Sequence, residues 1–487
     1  MTLVRYRSPA GRWVLLATVL GSSLAFIDST VVTIALPAMG RDLGADAAGL
    51  QWAVNGYSLS LAALILLGGS LGDRYGRKRV FAIGVGWFAA ASLLCGLAPS
   101  VELLIAARVL QGMGGALLTP GALAILEASF VPADRSRAIG AWSGLSGIGG
   151  ALGPFLGGWL VETADWRLIF LINVPLALLV LALTARHVPE SRNVSAARQL
   201  DPTGVLLGAA GLSGLTYGFT AWPEHGPGSP VVLAALTVGV FAMAAFVFAE
   251  RRSAHPMLPL EVFRSRAFTG ANLVTFLAYA ASGGVFFLVV LNLQVVAGYS
   301  PLAAGVAMLP VTALMLLLSA RVGALGQRIG PRIPMTAGPL ACAVALVLFS
   351  RVGSGASYLT AVLPAVIVFG LGLSLLVAPL TATAVGALDD AYAGIASGVN
   401  NAVARAAGLL AVAVLPLAGG LGGGSLTDAA TLQPMYRNAM LICAGLMVTA
   451  AAVAAVVVPS RMPAPAAARR SFCDPGGPPV HVQNTAR

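Results

Sequence analysis

Apolar runs about as long as a membrane-crossing helix, some 20 residues, follow one another along nearly the whole chain. They fall at 13–37, 52–72, 80–98, 102–126, 138–162, 166–185 and 202–222, then at 230–250, 267–297, 302–322, 333–351, 357–378, 395–421 and 436–458. The pattern predicts an all-α integral membrane protein of fourteen transmembrane helices. The ninth and thirteenth runs are long enough to hold a tilt or a short loop of their own. Arg5, Arg7 and Arg12 precede the first run, as they would a secretory signal. That run is too long for a cleaved segment and no clean cleavage site follows it, so it reads as an uncleaved first span.

The placement of charge tests the helix count. With the N-terminus on the cytoplasmic side, 23 of the 29 Lys and Arg residues fall in cytoplasmic segments. Arg41, Arg167, Arg351 and Arg437 fall outside, and Arg108 and Arg405 fall within helices. Basic residues gather on the cytoplasmic side of membrane proteins, and a missed central helix would scramble this split. Both termini are therefore expected in the cytoplasm.

Composition agrees. The chain is 58% hydrophobic and 10% charged, where a soluble domain carries about 25% charged residues. The net charge of +11 is spread over short loops, which excludes a nucleic-acid surface and marks a lipid bilayer as the surroundings. Cys95, Cys342, Cys443 and Cys473 show no CxxC spacing and read as small core residues, with no metal expected. His187, His225, His255 and His481 all fall in predicted loops or the tail. No Walker A or HExxH pattern occurs, so neither an enzyme nor an ATP-driven pump of that kind is expected, and no cofactor.

An internal repeat appears at an offset of 254 residues. Gly69-Ser-Leu71-Gly72-Asp73-Arg74-Tyr-Gly76-Arg-Lys78 aligns with Gly323-Ala-Leu325-Gly326-Gln327-Arg328-Ile-Gly330-Pro-Arg332. Weak internal symmetry of this kind marks secondary transporters. It predicts a six-helix bundle over 1–185, a linker with two inserted helices over 186–266 and a second six-helix bundle over 267–458. The Pro-, Ala- and Arg-rich segment 459–487 reads as a disordered cytoplasmic tail.

Within this frame a few residues carry candidate chemistry. Asp28 sits at mid-bilayer, where a charge costs about 2.5–3.5 kcal/mol on insertion scales. It must face the bundle interior, as a proton carrier, as a binding site for a cationic substrate, or as a structural carboxylate paired to Ser or Arg. Arg108 stays charged at any working pH. It cannot carry the proton, but it can tune a carboxylate that does, unless its role is purely structural. In the fifth helix, Gly149, Gly153, Gly157 and Gly158 surround Pro154, a pattern that permits close helix contact and a bend. In the loop Asp73–Arg79, Asp73 stands among Arg74, Arg77, Lys78 and Arg79 beside Gly76, and could pair with Arg74 or Arg77 as a salt-bridged latch. Polar residues at membrane depth, Asn55, Gln111, Asn272, Gln294 and Arg405 with Gln51, Asn292, Asn400 and Asn401, either line a central cavity or bond helix to helix. Asp389 and Asp390 lie in a predicted cytoplasmic loop without a basic neighbour and receive no role.

Together these motifs resemble the major facilitator superfamily. Gly69–Phe81 looks like its signature loop between the second and third helices. Leu104–Ala116 is similar to its helix with a buried arginine, and Gly149–Gly158 to its antiporter motif. Asp28–Pro37 and Trp166–Pro175 resemble the fourteen-helix drug–proton antiporter branch. The resemblance implies proton-driven, alternating-access export of small amphipathic drugs or antibiotics, often cationic, across the cytoplasmic membrane. It places Asp28 and Arg108 in proton or substrate coupling and Asp73, Arg74, Gly76, Arg77 and Lys78 in a conformational latch. Gln327 and Pro331 depart from the pattern in the second-half loop, and no carboxylate lies at membrane depth in that half, so Asp28 serves alone. A monomer is expected, since two bundles already complete a pathway. The rival expectations are an exporter dedicated to one metabolite or self-made antibiotic, an uptake symporter, and a non-transporting membrane sensor.

Overall fold

The computed structural model describes residues 3–192, 201–253, 256, 258–388, 393–421 and 426–460. Asp389, Asp390, Cys473, His255, His481 and most of the predicted tail lie outside the described residues. In chain order the helices are α1 (Pro9–Leu43), α2 (Ala47–Tyr75), α3 (Arg77–Gly96), α4 (Val101–Ser129), α5 (Pro132–Thr163), α6 (Leu168–Leu171), α7 (Asn173–His187) and α8 (Pro202–His225). They continue with α9 (Pro230–Arg252), α10 (Arg266–Val295), α11 (Pro301–Ala307), α12 (Leu309–Ile329), α13 (Arg332–Phe349), α14 (Leu363–Gly386), α15 (Ala393–Ala418) and α16 (Ala429–Val457). The short pairs α6–α7 and α11–α12 each act as one span.

Twelve of these helices are long and apolar enough to cross a membrane, thirteen when the bent α2 is taken as one span. The twelve do not include α5, which at 32 residues is exceeded in length only by α1. His187 and His225, expected in loops, instead close the last turns of α7 and α8, where a partial negative charge at the helix end favours a cationic or donating ring.

Side-chain caps explain many of the starts. Ser8, Asp46, Ser100, Asp201, Ser265, Ser300 and Asp428 each accept from the backbone N–H three residues on, satisfying a donor the helix leaves open. At Asp428 the Thr431 hydroxyl and then its backbone N–H, both donating to the carboxylate, hold the exposed carboxyl below its ordinary range. Lipid-facing surface is plain on α9, where Phe241 is 70% exposed.

The α1–α7 helices pack among themselves, as do α10–α16, while α8 and α9 pair with each other and α8 touches α2 and α15. The predicted repeat is visible in the backbone. Gly76 and Gly330 both take positive φ, 113° and 88°, at the ends of α2 and α12. Lys78 Nζ donates to the Ala185 carbonyl and Arg332 Nε to that of Val458, each at the end of the sixth span of its half.

Candidate functional site

Asp28 and Arg108 meet at the centre of the first half. Both are buried, 0% and 1% exposed, and Arg108 Nη1 donates to Asp28 Oδ2 at 2.5 Å. Arg108 Nη1 also donates to Gln111 Oε1 at 2.6 Å, and Nε to the Ala53 carbonyl of α2 at 2.9 Å. The other carboxylate oxygen, Oδ1, accepts from Gln111 Nε2 at 2.7 Å and from Asn173 Nδ2 at 3.3 Å. Ser92 Oγ of α3 accepts from the same two amides at 2.8 and 3.4 Å. The guanidinium lies over the Tyr57 ring, 4.4 Å from its centroid, and near the Phe170 ring at 5.6 Å.

The helical period builds this cluster. Arg108 and Gln111 are one turn apart on α4 and so share a face; Phe170 and Asn173 stand in the same relation on α6 and α7. A charge taken out of water costs several kcal/mol, which attraction offsets only when geometry is good and the remaining polar atoms are bonded. Here both carboxylate oxygens are bonded. Of the residues gathered here, the sequence singles out Arg108 as a group able to tune a carboxylate and Gln111 as a cavity-lining candidate. Asn173 fell in a quoted motif without a role, and Ser92 gave no signal.

The expected loop is a helix junction: Asp73 and Arg74 end α2, Arg77 and Lys78 begin α3, and Gly76 alone lies between them. Arg77 Nε and Nη2 both lie 2.8 Å from Asp73 Oδ1, and Nη1 donates to the Ala124 carbonyl of α4. Arg74 lies over the neighbouring Tyr75 ring and forms no ion pair among the described residues. Glu190, which the sequence did not single out, caps the start of α3: its carboxylate accepts from the Lys78, Arg79 and Ser191 amides. A Cβ on Gly76 would sit 2.7 Å from that carboxylate, at a φ of 113°. Gly76→Ala is therefore expected to destabilise the protein by about 1–3 kcal/mol, seen as a lower thermal midpoint; an unchanged midpoint would remove the constraint.

Gly149, Gly153 and Gly157 bring α5 against Ser23, Thr30 and Val31 of α1. Gly158 faces the other half, where an added Cβ would stand 2.6 Å from Leu302 Cα. Gly305 of α11 lies against the Pro154 carbonyl in the same way. At this end of the bundle, opposite the Asp73–Arg79 loop, Glu162 Oε2 accepts from the Leu302 amide, and Gln294 Nε2 donates to the Ile34 carbonyl. Gln294 thus ties α10 to α1. Asn272 accepts from Asn400, which also donates to Thr275, an α10–α15 contact. Asn55 is fully buried, and neither of its amide atoms has a partner; Gln51 Oε1 is in the same state. Asn292 bonds the Val352 carbonyl.

The model of the Major Facilitator Superfamily matches residues 18–412. The chain belongs to that superfamily. It is a multi-pass membrane transporter, not an enzyme. It is 37% identical over 466 residues to the puromycin resistance protein pur8 of Streptomyces alboniger, covering 93% of this chain and 92% of that one. It is also 37% identical to the multidrug resistance protein Stp of Mycobacterium tuberculosis (strain CDC 1551 / Oshkosh), over 88% of this chain and 78% of that one. Among solved structures it shares its fold with a bacterial homolog of the human lysosomal transporter Spinster. The TM-score is 0.65 at 21% identity, over 92% of this chain and 97% of that one.

Proposed function

We propose that the transporter exports small amphipathic drugs or antibiotics across the cell membrane in exchange for protons, by alternating access. The observation that carries the reading is the buried Asp28–Arg108 pair. Asp28 is a titratable group at mid-span, and both its oxygens are already engaged by Arg108, Gln111 and Asn173. A substrate cation would have to displace a guanidinium to reach it. A proton needs only to neutralise the carboxylate, which breaks the ion pair and frees Arg108 and α4 to shift. Asp28 is thus the proton carrier and Arg108 the charge whose release couples it to helix movement.

The rocking bodies are 1–185 and 267–458, with the pair in 186–266 beside them and both termini in the cytoplasm. The Asp73–Arg77 pair, partly exposed, is of a kind worth about 0–1 kcal/mol. It can break at each stroke, as a latch must. Gly76 and Lys78 position it, and Arg74 faces away. The Gly149–Gly158 segment is the contact on which the two halves close. One chain forms the whole pathway, so the working unit is a monomer.

Inverted vesicles test the proposal. With a panel of amphipathic dyes from cationic to anionic, uptake is expected only while the interior is acid, and collapse of the gradient stops it. Equal uptake with and without a gradient would make proton exchange wrong. If no dye moves, an exporter dedicated to a single compound takes the lead, the reading favoured by the one-compound name of the puromycin resistance relative.

A further inference from the structure

Arg405 is the second membrane-depth arginine, and the Asp28 cluster leaves it out. It stands near the middle of α15 (Ala393–Ala418), about 18 Å of helix from either end at 1.5 Å per residue. That distance exceeds the reach of a side chain that snorkels to the membrane surface. Its Nε is buried without a hydrogen-bond partner, and it forms no ion pair among the described residues. A guanidinium carries five donors and cannot shed its charge. The fold therefore holds a permanent positive charge inside the bundle, with no carboxylate paired to it among the described residues.

Its surroundings show which ligand would meet it. The α15 helix packs against α2, which carries Tyr57, and against α10, which carries Tyr279, one from each half of the molecule, and both tyrosines lie within electrostatic range of Arg405. The Tyr57 hydroxyl is also buried without a partner, while its ring is fixed under Arg108. Among the described Asp and Glu residues, Asp28 alone lies deep in a span. Every other described one falls in a loop or within a turn of a helix end. Asp28 is neutralised by Arg108, which leaves Arg405 as the net charge of the interior. An amphipathic cation would enter against that charge.

We propose that Arg405 and the Tyr57 hydroxyl, with Tyr279 beside them, bind an anionic oxygen of the exported molecule, so that its substrates are amphipathic acids bearing a carboxylate or phenolate. This rests on the export reading above and names its substrate class. The oxygen accepts from the guanidinium and from Tyr57, and α2 and α15, which touch, hold it between the two halves. Substrate and proton then occupy different groups, joined by the Tyr57 ring, and they compete through the two conformations rather than for one carboxylate.

Equilibrium binding separates this proposal from the transport mechanism. Fluorescein, an aromatic dye with a carboxylate and a phenolate, and ethidium, an aromatic cation, are titrated by anisotropy against the purified full chain in detergent. Wild type is expected to bind fluorescein at least tenfold more tightly than ethidium. Arg405→Gln should weaken fluorescein at least tenfold and leave ethidium unchanged or tighter. Arg405→Lys, which keeps the charge, should recover part of the loss, and Tyr57→Phe, which keeps the ring, should weaken fluorescein severalfold. An unchanged gel-filtration profile and thermal midpoint for Arg405→Lys and Tyr57→Phe show that loss of binding is not loss of fold. Tighter or equal ethidium binding by wild type, no binding of fluorescein, or an unchanged affinity in Arg405→Gln overturns the proposal. If fluorescein binds as expected but moves regardless of a proton gradient, the coupling fails and the substrate class stands.

Discussion

Asp28→Asn is expected to reduce gradient-driven uptake in inverted vesicles to the level seen without a gradient. Asparagine can still accept from Gln111 and Asn173, but it cannot take up and release a proton. It also leaves the Arg108 charge buried without its counterion, and removing one partner of a buried pair costs about 3–5 kcal/mol. Stability and coupling must therefore be told apart. Arg108→Gln alone strands Asp28 and should lower the thermal midpoint as Asp28→Asn does. The double variant Asp28→Asn/Arg108→Gln removes both charges together. Replacing a buried pair by neutral groups is often close to neutral in stability, so the midpoint should return most of the way towards wild type. Transport should not return. Recovery of gradient-driven transport in the double variant would show that Asp28 is structural, and would sink the proton-carrier assignment.

The contrast between Asp28 and Ser92 shows what a sequence discloses about such a site. A carboxylate or guanidinium in an apolar span is costly enough to be conspicuous wherever it falls, and Gln111 follows from Arg108 by one helical turn. Ser92 carries no such mark. Thr18, Ser282 and Ser374 look the same in sequence, yet each hydroxyl donates to the carbonyl four residues back in its own helix. Only the packing of α3 against α4 decides that Ser92 reaches across instead. Gln294 is the reverse case: one of two candidate roles at membrane depth was a cavity wall, and tertiary packing turns it onto the Ile34 carbonyl. The periodicity of apolar runs made the helices legible, along with the repeat that puts positive φ at Gly76 and Gly330. Which helix each glycine of α5 would touch was not legible, because small residues permit close approach without naming a partner.

Gly305 offers the second large effect, because it tests the rocking motion itself. Its backbone lies against the Pro154 carbonyl, and Gly158 lies as tightly against Leu302. A leucine at 305 has no room unless α5 and α11 separate. Overpacking of this kind costs about 1–3 kcal/mol, and it acts only on the conformation in which these helices touch. A bias of about 1.4 kcal/mol already changes a two-state ratio tenfold. Gly305→Leu should therefore shift the population towards the state open at this end and lower transport at least tenfold, while dye binding is retained. A cysteine at Leu302 reports the shift. Cys95, Cys342 and Cys443 are buried, so with Cys473 replaced by serine a polar maleimide reads the new thiol. Labelling should be faster in the Gly305→Leu background than in its parent. Equal labelling rates with transport lost would mean that the substitution damages α11 locally. Equal rates with transport intact would mean that the α5–α11 contact does not open during the cycle, and the alternating-access reading would have to place its gate elsewhere.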